Sequence, residues 1–170
     1  MNQTTQTQDS YNIAFVKARW HADIVERCEE GFLDELRRRD WRAGRVDTFA
    51  VPGSLEIPLL ARQLALRGDH AAIVASGLIV DGGIYRHDFV ASTVIDALMR
   101  VQLETDVPVL SAVLTPHHFH EHAPHTAFFA EHFVTKGREA AQGCLAAIEG
   151  LARLAPESRM DFQDTKAMAS

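Results

Sequence analysis

The chain has 170 residues, 46% of them hydrophobic and 24% charged, a balance that fits one globular domain and excludes the fibrous and disordered classes. A formal net charge of −6, with no basic stripe beyond the short run Arg37, Arg38, Arg39, argues against a nucleic-acid binder. The opening MNQTTQTQDS has no apolar leader and nowhere do about 18 apolar residues run together, so a soluble, cytoplasmic protein is expected.

In chain order, residues 1–10 are expected to form a flexible segment, 11–155 the domain, and 156–170 a polar tail. Tyr11 to Ala18 (YNIAFVKA) reads as a strand, and His21 to Arg39 follows with Ile24, Val25, Cys28, Phe32 and Leu36 at helical spacing. Arg45 to Val51 is a second strand closed by Pro52-Gly53. Ser54 then opens a helix to Leu66, with Pro58 in its first turns and Gly68 as its stop. Ala71 to Val80 (AAIVASGLIV) is an apolar run of the kind a parallel sheet buries on both faces, broken by Asp81-Gly82-Gly83. Asp88 to Leu103 is apolar on almost every side, too much so for a helix with one free face, which predicts burial in the core or in a subunit interface. Pro108 to Leu114 is the fourth strand. A histidine-rich loop, TPHHFHEHAPH, follows, and Arg138 to Leu154 is the last helix. Cys28 and Cys144 fall in helical apolar patterns and read as buried thiols suited to a reducing compartment.

Strands alternating with helices predict an α/β fold, a flavodoxin-like three-layer sandwich with a four-stranded parallel sheet flanked by helices. Ligands of such sheets bind beyond the carboxyl ends of the strands. The unusual residues fall there: Arg19-Trp20, Pro52 to Glu56, Asp81 to His87, and the histidine loop. Each has an ordinary reading beside a functional one. Trp20 either packs or stacks a heteroaromatic ring. Glu56 either complements a helix dipole or accepts hydrogen bonds from polyol hydroxyls. Gly82 and Gly83 either make a turn or, with the helix beginning just after them, a phosphate nest. Arg86, His87 and Lys136 are either surface residues or cationic and proton-transferring groups on the rim.

Taken together, RW after strand one, VPGSLEIP, GLIVDGGIYRHDFV, VPVLSAVLT and a late TKG resemble the 6,7-dimethyl-8-ribityllumazine synthase family, especially its type II form, from about Tyr11 to Leu154. The resemblance implies a cofactor- and metal-free enzyme of riboflavin biosynthesis. Such an enzyme joins 5-amino-6-ribitylaminouracil to 3,4-dihydroxy-2-butanone 4-phosphate by imine formation, phosphate loss and ring closure. It implies that Trp20 stacks on the uracil and that Ser54, Leu55 and Glu56 grip the ribityl chain. Ile79 and Val80 would read the uracil edge, and Gly83 and Ile84 would hold the phosphate. Ser111 and Lys136 would come from a neighbouring subunit of a pentameric ring, with two rings forming a decamer.

The chain departs from the family pattern in two places. Where many members carry a phosphate-binding arginine, a gap-free count from Thr115 places His125, with His122 the neighbouring candidate. Where most carry an acid/base histidine stands Arg86, which cannot release its proton near neutral pH, with His87 one place later. Consecutive positions at a helix start point about 100° apart, so His87 does not simply inherit the role. The histidine loop has three readings: a metal site using His118, His120 and His122, a solvated loop, or a basic wall near the phosphate, the last being adopted. The competing functional class is a low-turnover flavin- or lumazine-binding or assembly protein on the same fold.

Overall fold

A computed structural model of the chain describes residues 11–119 and 122–154. It runs β1 (Ile13–Ala18), α1 (Ala22–Arg38), β2 (Val46–Val51), a 3-10 turn (Ser54–Glu56), α2 (Ile57–Arg67), β3 (Ala72–Leu78), α3 (His87–Thr105), β4 (Val109–Leu114) and α4 (Ala123–Ala152). The four strands form one parallel sheet in the order β2-β1-β3-β4. Its register sets Val16 opposite both Phe49 and Ala75, and Ala75 opposite Ser111. All seven residues of β3 are buried, as a central parallel strand covered on both faces requires.

The period-two alternation of β1 divides the core. Ile13 and Phe15 join the cluster under α1 and α4, whereas Ala14, Val16 and Ala18 join the one under α2 and α3. In the first layer two glycines let helix backbones touch. A Cβ on Gly31 would lie 2.1 Å from the Val134 carbonyl oxygen, and one on Gly137 would lie 2.0 Å from that of Cys28. Cys28 and Cys144 are fully buried there, as their helical spacing predicts. In the second layer α3 buries Ala91, Val94, Leu98 and Val101 but leaves Phe89, Met99 and Leu103 exposed.

Two boundaries differ from the sequence expectation. The last helix begins at Ala123, not Arg138, because Phe133, Gly137, Ala141, Cys144 and Ile148 already make one buried stripe and Pro124 is tolerated in a first turn. The end of the supposed histidine loop, Ala123 to His125, is therefore helix, as is His132 beyond it. Ser54 opens a 3-10 turn, with α2 starting at Ile57; α2 ends at Arg67, and Gly68, with φ 74°, supplies the expected left-handed stop. Among the described residues no helix is long and apolar enough to cross a membrane.

Candidate functional site

The carboxyl ends of the strands open into a cavity of about 670 Å³. Trp20 and His21 reach it from the end of β1, and Pro52 to Glu56 from the end of β2. Leu78 to Gly82, Ile84, Tyr85 and His87 come from the end of β3 and the start of α3, and Phe119 from beyond β4. Four segments distant in sequence thus meet because a parallel sheet sends every strand out on the same side.

Trp20 is 67% exposed and lines this cavity, so within the chain it is no core residue. Gly53 lies against it: a Cβ there would sit 3.9 Å from the indole and 3.2 Å from Oε2 of Glu56. That Oε2 accepts a hydrogen bond from the Gly53 N–H at 2.8 Å, closing the turn that presents Ser54, Leu55 and Glu56. Ser54 is buried, and Gly77 below makes room for it, since a Cβ there would be 2.7 Å from its Oγ. Ile79 donates its N–H to the Leu114 carbonyl at 2.9 Å, which ties the floor of the cavity to the β4 end.

A second cavity, of about 590 Å³, shares Asp81 and His87 with the first and adds Arg86, Asp88, Ala91, Thr115 and His117. His87 therefore faces both spaces. Arg86 is in extended conformation (φ −70°, ψ 111°) just outside α3, so the two side chains are not related by the 100° step of consecutive helical residues. The Arg86 guanidinium donates to Asp88 at 2.8 Å and lies 4.3 Å from the Phe89 ring centroid. For the Asp88 carboxyl, desolvation acts upward, but the hydrogen bond and charge of Arg86 outweigh it and hold the pKa below its ordinary value.

The glycine turn also differs from expectation. Gly83 has φ 75° and its N–H donates to Asp81 Oδ1 at 3.1 Å. Gly82 and Ile84 line the first cavity and Gly83 does not; α3 starts four residues beyond Gly83, so its terminal partial charge lies at His87 rather than at the glycines.

Besides Gly83, three candidates are not brought to either cavity by this one chain. Ser111 is exposed on the edge strand β4, with its Oγ 3.4 Å from the Val113 N–H, and Lys136 pairs with Glu139 at 2.7 Å on α4. His125 sits in the first turn of α4 among rings, 5.0 Å from His122 and 6.0 Å from Phe129, centroid to centroid. His120, which the metal reading of the loop invoked, lies outside the described residues. Conversely, sequence reading missed His21, Val90 and Phe119 as cavity residues. Only Phe119 carried a legible signal, an aromatic within a polar loop at a strand's carboxyl end.

Comparison with known proteins agrees with this architecture. A sequence model described as 6,7-dimethyl-8-ribityllumazine synthase matches residues 10–152. The chain is 59% identical over 142 residues to a Rhodococcus erythropolis 6,7-dimethyl-8-ribityllumazine synthase, covering 84% of this chain and 92% of that protein. It is 46% identical over 163 residues to 6,7-dimethyl-8-ribityllumazine synthase 2 of Pseudomonas syringae pv. tomato, covering 96% and 94%. With the protein named 6,7-dimethyl-8-ribityllumazine synthase 2 in Bradyrhizobium diazoefficiens it shares 56% over 142 residues, covering 84% and 85%. The chain belongs to the 6,7-dimethyl-8-ribityllumazine synthase family.

Proposed function

We propose that the chain is the enzyme of riboflavin biosynthesis that condenses 5-amino-6-ribitylaminouracil with 3,4-dihydroxy-2-butanone 4-phosphate, giving 6,7-dimethyl-8-ribityllumazine, phosphate and water. The observation that carries the reading is the cavity at the strand ends, where an exposed Trp20, the Ser54-Leu55-Glu56 turn, the Ile79-Val80 floor and His87 meet. The 5-amino group attacks the ketone and water leaves as the imine forms. Phosphate is then eliminated, and the ribityl-bearing nitrogen closes the second ring with loss of another water.

Trp20 stacks the pyrimidine and Glu56, with one oxygen held by Gly53, offers its other oxygen to a ribityl hydroxyl. The Ile79 N–H is committed to Leu114, so Ile79 reads the uracil edge through its carbonyl, with Val80 beside it. Gly83 and Ile84 hold the phosphate near the second cavity. His87 moves protons where the two cavities meet; Arg86, already tied to Asp88, serves as an anion holder. Ser111, His125 and Lys136 act in the site of a neighbouring subunit of a pentamer, two of which make a decamer. The apolar side chains exposed on α3, together with the absence of these three residues from the cavities lined by their own chain, support that arrangement.

The test is to mix the two substrates and follow product absorbance and fluorescence, with and without chelator. Turnover that is immune to chelator is expected; its absence, with the lumazine still bound, would favour a low-turnover binding protein instead. His87→Ala should lower the single-turnover rate by about 10²- to 10⁴-fold with little change in binding. Arg86→Ala should mainly raise the Michaelis constant for the butanone phosphate. A fully active His87→Ala enzyme removes His87 from the mechanism.

A further inference from the structure

Of the three non-glycine residues with positive φ among those described, Asp40 and Asp106 follow the ends of α1 and α3, where a left-handed residue is an ordinary stop. His21 differs. It lies at the start of α1 with φ 55° and ψ 45°, and its carbonyl accepts the N–H groups of Ile24 and Val25, both at 2.9 Å. A left-handed conformation at a cavity wall, in a residue with a Cβ, is the kind of strain that a site retains for positioning. What His21 positions is visible: its ring meets Phe119 edge-on, with centroids 5.4 Å apart and planes at 69°. Phe119 also packs against Phe129, with ring centroids 5.4 Å apart. Both His21 and Phe119 line the cavity of Trp20. Phe119 packs against the α1/α4 core cluster, whereas Ile79 and Val90 belong to the α2/α3 cluster, so it supplies an aromatic wall on the opposite helical layer.

We propose that Phe119, braced by the left-handed His21, is a specificity-determining residue that fixes the heteroaromatic ring of the ligand in the plane set by Trp20. The proposal rests on the reading of the cavity as the lumazine site, and deepens it by adding residues from the β1 end and the loop beyond β4. An aromatic packed against two other rings loses little freedom on binding, so its contact with a flat ligand is retained.

Equilibrium binding of 6,7-dimethyl-8-ribityllumazine, read by its fluorescence, tests this together with Michaelis constants for both substrates. Phe119→Ala should weaken lumazine binding about 3- to 10-fold and raise the Michaelis constant of the pyrimidine substrate equally, leaving that of the butanone phosphate within about 2-fold. Phe119→Tyr should restore binding. His21→Gly, which adopts the left-handed turn freely, should keep the fold and lose affinity in the same direction by a smaller factor. If Phe119→Ala disturbs the loop by circular dichroism, Phe119→Leu carries the test, with a loss of about 2-fold or more expected. Wild-type affinity in Phe119→Ala or Phe119→Leu, or equal loss for both substrates, overturns the proposal; full affinity in His21→Gly removes the brace. A wild-type protein that binds lumazine but makes none overturns the proposed activity instead.

Discussion

The two faces of the sheet are finished differently. Under α1 and α4 the chain packs tightly upon itself: glycines bring helix backbones together, Phe15 and Phe32 pack at 5.3 Å, and both cysteines are sealed, although Phe128 and Leu151 of α4 stay exposed. Over the other face, α2 and α3 cover the sheet but turn Leu59, Leu66, Phe89, Met99 and Leu103 to solvent. Scattered exposed apolar residues are ordinary, but several on two adjacent helices form surface of the kind an obligate partner covers. One layer supplies stability within the chain. The other supplies its share of core and leaves the apolar surface on which the proposed assembly would draw, and α3 carries His87 at its first turn.

The sharpest way to break this contrast is Gly137→Val. Its Cβ would collide with the Cys28 carbonyl, a backbone atom that no rotamer change can move away, so a loss of at least about 3 kcal/mol, or failure to fold, is expected by denaturant titration. A near-native midpoint would mean that α1 and α4 do not meet so closely. On the open face, Leu103→Glu should leave the isolated fold little changed, since Leu103 is 71% exposed, yet weaken assembly by about 10-fold or more in sedimentation velocity. Unaltered assembly would clear this end of α3 from the interface.

A smaller effect is expected at the rim the two layers share. Trp20→Ala should cost about 0.5 to 1.5 kcal/mol of pyrimidine binding, with the phosphate substrate little affected. Equal weakening of both substrates by titration would make Trp20 structural.

The smallest effect concerns pH. Burial pushes the Cys28 thiol from its ordinary 9.0 up to about 11, and that of Cys144 up to about 12. An unfolded chain releases these protons first, so their contribution to stability is full below pH 9 and is lost as pH rises through about 11 to 12. Replacing both with alanine or serine should flatten that alkaline decline in a stability-versus-pH series. Rapid alkylation of the native protein near neutral pH would contradict the sealed layer.

The sheet was legible because β1 and β3 carry the apolar runs that a doubly covered parallel sheet demands, and the rim was legible because strand direction sends Trp20, Glu56 and His87 to one end. What periodicity did not carry was the start of α4. Histidine has middling helix propensity, and five of them within residues 115–125 masked a stripe that begins before Arg138. Nor does any sequence signal reveal the left-handed turn at His21 or the extended backbone at Arg86, on which the direction of Phe119 and His87 depends. These are properties of single dihedral angles, set by tertiary packing rather than by residue type.

The hydrogen bond from the Gly83 N–H to Asp81 has one more consequence. The turn proposed for phosphate already gives its Gly83 N–H to a carboxylate of its own chain, so a phosphate there would have to compete with a tethered anion. On that proposed role, ligand entry would be an exchange of phosphate for the Asp81 carboxylate, which borders both cavities. Until then the left-handed turn at Gly83 keeps its shape by hydrogen bonding within its own chain.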